Sequence, residues 1–317
     1  MTLDKPQIGW YGLGSMGRPM AENLQKYIAK NAEQPLKYFN RSMSSGETLK
    51  ALGAVPATGF VDLVKQCNIV FTMVPNDEVL SGLIESAISE CQTLSGKIFV
   101  DCSTVHPETI SKLASDLASH EAVLVSAPVF GGPALAVPGT LVFAIGGPKS
   151  ACESVERYIN NVMGRKVIQC GEDPANSSLL KIGGNIITIC LMEAVGEAQV
   201  FAEQTGLGTE AMENLIGESF GAVAGGYSKR LTSGAYAPQL DTRPGFGVSL
   251  AIKDAKHALS MAKERNVKLP GLTLADQNMR AAREYGGECL DTSSMYGVLR
   301  QEAGLSFWNE KSRQGGK

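Results

Sequence analysis

The chain has 317 residues, with 29 Lys and Arg against 32 Asp and Glu, and a formal charge of −3 at pH 7. It is 44% hydrophobic and 19% charged, too apolar and too nearly neutral for a disordered chain. Its faint acidity, with no long Lys/Arg run, argues against nucleic acid or an anionic membrane surface as the main partner. A length above about 250–300 residues favours two cores. Glycine is over-represented at 35 residues, against about 7% ordinarily, and no G-X-Y period accounts for it.

The amino-terminal MTLDKPQIGW lacks an apolar signal core and includes Asp4, so neither a secretory nor a transit peptide is expected. Seven scattered cysteines, none at CxxC spacing, read as reduced thiols. His106, His120 and His257 have no neighbouring ligand pair, which leaves no zinc site. The most apolar run, Leu179 to Met192, is short for a bilayer and holds Lys181, two glycines and Asn185. A cytoplasmic protein without metal or membrane partner is the expectation.

In chain order, strands are predicted at Gln7–Tyr11, Leu36–Phe39, Ile69–Val74, Lys97–Asp101, Ala122–Val125 and Leu141–Ile145. Helical spacing lies between several of them, at Met16–Tyr27, Glu78–Ala87 and Glu108–His120. That alternation predicts an α/β, doubly wound parallel sheet over residues 1–170. From 171 to 317 strand-like runs vanish, and helices are predicted at Ser177–Thr205, Thr209–Phe220, Phe246–Asn266 and Thr273–Tyr285. The second domain should therefore be all-α. The polar tail after Trp308 is expected to fray.

Residues Ile8–Gly17 read IGWYGLGSMG, which places Gly12, Gly14 and Gly17 in G-x-G-x-x-G spacing, together with Leu13, Ser15 and Met16. The first glycine suits a tight turn, the second a close approach to a pyrophosphate, and the third helix–strand packing. Free N–H groups at the helix start would face the phosphates. At the end of the second strand the chain reads Asn40-Arg41-Ser42, with no acid between Lys37 and Gly46. A guanidinium suits a 2′-phosphate, whereas a carboxylate suits the ribose 2′-OH. NADP is therefore favoured over NAD, Arg41 as a solvated loop residue being the plainer alternative.

Two loops beyond later strands carry groups for an anion. Asp101-Cys102-Ser103-Thr104 precedes a helix, and its hydroxyls and amides could hold a carboxylate. Phe130-Gly131-Gly132 follows another strand, and the two glycines could expose N–H groups. Either loop also reads as a cap or a structural turn. Lys181 and Asn185, four apart, share one helix face. A lysine among Leu180, Ile182, Ile186 and Ile187 needs a partner, and burial lowers its pKa toward acid/base use; snorkelling to the surface is the alternative. Phe246 precedes Lys253 by seven residues, two turns if the helix is continuous, while a Lys253-Asp254 pair most often lies on a solvated face.

These residues resemble the β-hydroxyacid dehydrogenase family, which includes 3-hydroxyisobutyrate dehydrogenase and 6-phosphogluconate dehydrogenase. The resemblance runs from Ile8 to about Ala303, with motifs in family order: GLGxMG at Gly12–Gly17, DxSTxxP at Asp101–Pro107, APVSGG then GTL at Ala127–Gly132 and Gly139–Leu141, KxxxN at Lys181 and Asn185, and F-x6-KD at Phe246, Lys253 and Asp254. It implies a Rossmann domain joined by a long helix to an all-α domain, and a homodimer or homotetramer built through the helical half. It implies Lys181 as general acid/base and Asn185 as an orienting group. Ser103, Thr104, Gly131 and Gly132 would bind substrate. Lys253 would lie near cofactor and substrate and Phe246 against the nicotinamide side; Thr104 would also contact the cofactor, and Val74-Pro75-Asn76 would approach the adenine-side or the nicotinamide ribose. Phe130 stands where the family usually has Ser, and Ser126 where it usually has an acid; a ring in place of the hydroxyl at the substrate-binding position 130 implies a substrate with a bulkier or more apolar substituent, a core-facing Phe130 being the plainer alternative.

The reading is an NADP-dependent oxidoreductase moving hydride between the nicotinamide and a small β-hydroxy acid, semialdehyde or keto acid. An imine reductase-like enzyme is the first alternative, against which Lys181 counts. A non-catalytic NADP-binding interaction module is the second; its usual mark, loss of that lysine, is not seen.

Overall fold

The computed structural model describes residues 5–315; Asp4 and the last two residues of the tail lie outside them. The chain divides into two compact units, Met1–Lys181 and Ile182–Lys317, the division falling inside a long helix.

In the first unit β1 (Ile8–Tyr11), α1 (Gly17–Lys30), β2 (Lys37–Phe39), α2 (Glu47–Ala51), β3 (Val55–Pro56), α3 (Phe60–Gln66), β4 (Ile69–Thr72), α4 (Asp77–Glu90), β5 (Ile98–Asp101), α5 (Pro107–Ala118) and β6 (Val123–Ser126) follow one another. The six strands form one sheet in the order β3-β2-β1-β4-β5-β6, and every pairing is parallel. All residues of β4 and β5 are buried, as parallel strands covered on both faces must be. Their side chains alternate between two cores. Ile69, Phe71, Ile98 and Val100 join the core that includes Met20 and Leu24 of α1. Val70 and Phe99 join the one that includes Leu63, Leu80 and Leu113. Trp10 of β1 lies beside Phe71, ring centroids 5.6 Å apart. The strand order reverses between β1 and β4, the crevice where open α/β sheets bind ligands.

The chain then forms β7 (Val129–Phe130), α6 (Pro133–Ala136), β8 (Leu141–Ile145), α7 (Lys149–Ile159) and β9 (Gly164–Gln169). The strand expected at Leu141–Ile145 exists, but it is the central strand of a separate three-stranded sheet, antiparallel to β7 and parallel to β9. The connection from β6 spends its residues on β7, which pairs antiparallel with β8, and on the four-residue α6, too short to cross the face of the sheet. β9 escapes the sequence pattern because most of it is exposed.

α8 (Ala175–Gln204) carries the chain into the second unit, which adds α9 (Thr209–Thr232), α10 (Val248–Glu264), α11 (Pro270–Gly286) and α12 (Met295–Glu302). The apolar run at Leu179–Met192 is thus part of a 30-residue helix, by length and composition sufficient to cross a membrane. Its polar residues are nevertheless tied to other helices of the unit. Asn185 donates to Asp254 of α10 at 2.6 Å, Asn278 of α11 donates to Glu193, and Gln199 donates to Ser228 of α9 at 2.7 Å. These bonds bind one face of α8 to the unit, while Leu179, Leu180 and Ile187 are exposed. α9 runs past its expected end at Phe220, with a kink at Gly221, whose φ of 83° only glycine adopts readily.

Two expectations need correction. Phe246 is not on α10: the helix starts at Val248 after the extended cap Gly247, so Phe246 and Lys253 are not two turns apart on one face. Nor does the tail fray over its described residues. Asn309 donates from Nδ2 to Leu231 O and from its backbone to the Tyr236 hydroxyl, Arg313 N–H donates to Ala237 O, and Ser312 and Arg313 are buried. Polar composition misled because these side chains cap backbone groups of the helical unit.

Burial pushes the Glu193 carboxyl up to about 7, with Glu197 and Glu302 adding to the effect and the Asn278 hydrogen bond opposing it. One of its oxygens, Oε2, is buried without a hydrogen-bond partner among the described residues. The folded chain holds this proton more tightly than the unfolded one. The group therefore lowers stability as pH rises from the ordinary carboxyl range through about 7. Glu193→Gln should melt a few degrees above wild type at pH 8 and close to it at pH 5. Equal differences at both pH values in thermal melts would contradict this origin.

Candidate active site

The loop between β1 and α1 is shaped by what its glycines exclude. Gly12 has φ 97°, and a Cβ there would lie 2.1 Å from Met73 O; one on Gly17 would lie 2.0 Å from Gly12 O. A Cβ on Gly14 would meet nothing within 4 Å, so this backbone faces open space. Buried Trp10 donates from its indole to Gly12 O at 2.9 Å, and Gly12 N–H donates to Phe39 O. Among the described residues α1 has no capping side chain and no acid in its first turn, leaving its amino end open to an anion. A cradle of bare backbone over an uncapped helix start fits a dinucleotide pyrophosphate.

Asn40 braces this loop. Its Oδ1 accepts from Leu13 N–H at 2.9 Å and its Nδ2 donates to Ser42 O at 2.8 Å. Much of its hydrogen-bonding capacity is thus spent on backbone, while Arg41 and Ser42 are exposed. Trp10 and Asn40 in this bracing role are not visible in the sequence pattern.

Two aspartates join the turns that follow β4 and β5. Buried Asp101 accepts from the Thr72 hydroxyl at 2.8 Å, the Ser103 hydroxyl at 2.7 Å and Ser103 N–H at 3.2 Å. The Ser103 oxygen in turn accepts from Val74 N–H at 2.8 Å. Asp77 accepts from His106 N–H at 2.7 Å and the Thr109 hydroxyl at 2.8 Å. Asn76 caps α4 by accepting from Val79 N–H. Ser103, read in sequence as a substrate contact, is 1% exposed, donates its proton to Asp101 and accepts from the turn at Val74-Pro75-Asn76. Thr104 beside it is half-buried.

Gly131, with φ 116°, and Gly132 lead from β7 into α6. The first turn of α8 is fastened to the same unit by two buried hydroxyls: Ser177 donates to Ser126 O and Ser178 to Val105 O, both at 3.0 Å. One turn on, the half-buried Lys181 places its ammonium 4.8 Å from the centre of the Phe130 ring. Lysine, Phe130 and the two glycines therefore belong to one neighbourhood.

In the helical unit Asn185 is buried and donates to Oδ2 of Asp254, whose Oδ1 lies 3.1 Å from the Lys253 ammonium. The Lys-Asp pair is not a solvated face: Asp254 is buried and Lys253 half-buried. Phe246 is held at both ends of its peptide, its N–H donating to Asp291 Oδ2 at 2.9 Å and its carbonyl accepting from Thr292 N–H at 2.7 Å. Arg230 pairs with Asp291 at 3.1 Å. Asp291 and Arg230 went unnoticed in the sequence, although Asp291-Thr292-Ser293 has the composition of a capping turn. Among the described residues no group of three His, Cys, Asp or Glu could hold a metal.

The glycines make a paired test. Gly12→Ala must move Met73 backbone and should lower the melting temperature. Gly14→Ala should melt as wild type yet weaken dinucleotide binding at least about tenfold, since the methyl enters the space the pyrophosphate needs. Unchanged affinity in Gly14→Ala, read by nucleotide fluorescence titration, would contradict the cradle.

Comparison with known proteins agrees with this geometry. Residues 7–171 match the model of the NAD binding domain of 6-phosphogluconate dehydrogenase, and residues 176–299 that of the NAD-binding domain of NADP-dependent 3-hydroxyisobutyrate dehydrogenase. The chain is 31% identical over 307 residues to 2-(hydroxymethyl)glutarate dehydrogenase of Eubacterium barkeri, covering 95% of this chain and 97% of that protein. It is 30% identical over 301 residues to NADH-dependent oxidoreductase ucdB of Aspergillus ustus, covering 92% and 98%. In fold it is similar to 3-hydroxyisobutyrate dehydrogenase from Salmonella typhimurium, with TM-score 0.81 and 19% identity over 92% of this chain and 99% of that one. An imine reductase from Pseudomonas sp. shares the fold at TM-score 0.62 and 18% identity, over 93% and 100%. With a dinucleotide cradle at the switch point and both halves matched along their length, the chain belongs to the β-hydroxyacid dehydrogenase family and is an NAD(P)-binding oxidoreductase.

Proposed function

We propose that the protein is an NADP(H)-linked dehydrogenase or reductase interconverting a small β-hydroxy acid with its semialdehyde or keto partner, with Lys181 as general acid/base. The observation that carries this reading is the position of Lys181. It lies half-buried on a helix whose first turn is tied to the loop after β5 and to the last residue of β6, beyond the same sheet whose β1 feeds the glycine loop. The bound nicotinamide supplies or accepts the hydride. Lys181 gives its proton to the substrate's carbonyl oxygen in reduction and takes the hydroxyl proton in oxidation. Gly131 and Gly132 offer backbone N–H groups to the substrate's carboxylate. Asn185 and Lys253, both fixed by Asp254, take the substrate-orienting roles that the family resemblance gives them.

The preference for NADP rests on the exposed Arg41 and Ser42 after β2 and on the absence of an acid from Lys37 to Gly46. Phe130 beside the lysine favours a substrate with an apolar substituent next to its carbonyl. The same ring supports a second reading, reduction of an imine. A homodimer or homotetramer formed through the helical half, and a cytoplasmic location, complete the proposal.

A panel of 3-hydroxy acids, semialdehydes and imines, each with NADP(H) and NAD(H), tests the assignment. The 3-hydroxy acids should turn over best, and Lys181→Ala should lower kcat by roughly 10²-fold or more; a loss under about threefold would remove Lys181 from the chemistry. Arg41→Asp should raise the KM for NADPH at least about tenfold and leave that for NADH nearly unchanged. Equal effects on both cofactors would contradict the NADP preference.

A further inference from the structure

The last residues of β1 and β2 lie opposite each other, Tyr11 beside Phe39, so the two loops that follow start side by side. Two successive amides of the glycine loop turn toward the end of β2: Gly12 N–H donates to Phe39 O at 3.3 Å, and Leu13 N–H to Asn40 Oδ1 at 2.9 Å. Leu13 is a fixed point, because its side chain is buried in the core. From the same amide group Asn40 donates through Nδ2 to Ser42 O at 2.8 Å. Arg41 thus sits between the two ends of that bond, its own side chain exposed. A long cationic side chain on a loose turn must order both its backbone and its rotamers to meet a phosphate. Here the backbone part is settled before a ligand arrives. The amide of asparagine has an acceptor and a donor at its tip and makes both bonds at once. A carboxylate in its place takes Leu13 N–H but has no proton for Ser42 O.

We propose that Asn40 is a positioning residue for cofactor selection: it locks the Arg41 turn to the glycine loop, so that the guanidinium meets a 2′-phosphate in register with the pyrophosphate at the start of α1. The proposal rests on the reading of Arg41 as the 2′-phosphate contact. It makes the preference for NADPH a property of Asn40 and Arg41 together, and not of the charge at position 41 alone.

A double-mutant cycle of Asn40→Ala and Arg41→Ala in the full-length enzyme tests it. NADPH and NADH affinities are read by fluorescence titration, and kcat is measured at saturating NADPH with the best carbonyl substrate. Arg41→Ala alone should weaken NADPH at least about tenfold, and Asn40→Ala alone about fivefold or more, through the two lost hydrogen bonds. NADH should weaken by less than about threefold in either variant, since it lacks the phosphate that Arg41 meets. In the Asn40→Ala background, Arg41→Ala should cost less than about threefold in NADPH affinity, the mark of two residues acting as one unit. Saturated kcat should stay within about twofold of wild type, whereas general loss of structure would lower it and weaken both cofactors together. Asn40→Leu, branched at the same carbon but without polar atoms, repeats the arm if the alanine variant does not fold. Costs that multiply in the double variant, or equal weakening of NADPH and NADH by Asn40→Ala, would overturn the proposal and leave Arg41 as the phosphate contact. If Arg41→Ala alone leaves NADPH affinity unchanged, the NADP reading falls and takes the proposal with it.

Discussion

Two buried serine hydroxyls at the start of α8 carry more of this structure's chemistry than their size suggests. Ser177 and Ser178 donate to Ser126 O and Val105 O, carbonyls at the ends of two loops of the nucleotide-binding unit. Each bond is worth about 0.5–1.5 kcal/mol net, but leaving a buried carbonyl without its partner costs about 1–3 kcal/mol. The helix start is therefore fixed where the sheet's loops gather. Lys181 follows by helical geometry alone, one turn from the serines.

The rest of the nucleotide-binding unit obeys the same logic, in which buried polar groups hold backbone so that backbone can serve a ligand. Asp101 takes three hydrogen bonds from the ends of β4 and β5, and Asp77 adds two more. Asn40 and Trp10 hold the glycine loop. Gly14 is left with open space beside it. In the helical unit Asp254 and Asp291 do the equivalent work for Asn185, Lys253 and Phe246.

Much of this was legible in the sequence. The five short apolar runs that became β1, β2, β4, β5 and β6 announce themselves because parallel strands are buried on both faces, and Gly12, Gly14 and Gly17 because each answers a steric demand. β3 and β7, two residues each, are too short to show a period. β9 is mostly exposed and carries no apolar signal. Phe246 was placed on α10 because apolar spacing continued across Gly247, while the bridge to Asp291 that ends the helix there is set by tertiary contact. The contact between Phe130 and Lys181, 51 residues apart, was beyond any local pattern.

The central claim is that Lys181 stands at the reacting oxygen, and a crystal structure of the protein with NADPH and an unreactive β-hydroxy acid analogue tests it most directly. The Lys181 ammonium should lie within hydrogen-bond reach of the analogue's hydroxyl oxygen, about 2.6–3.2 Å, with Phe130 still beneath it. A lysine turned away, with another proton donor at that oxygen, would contradict the account.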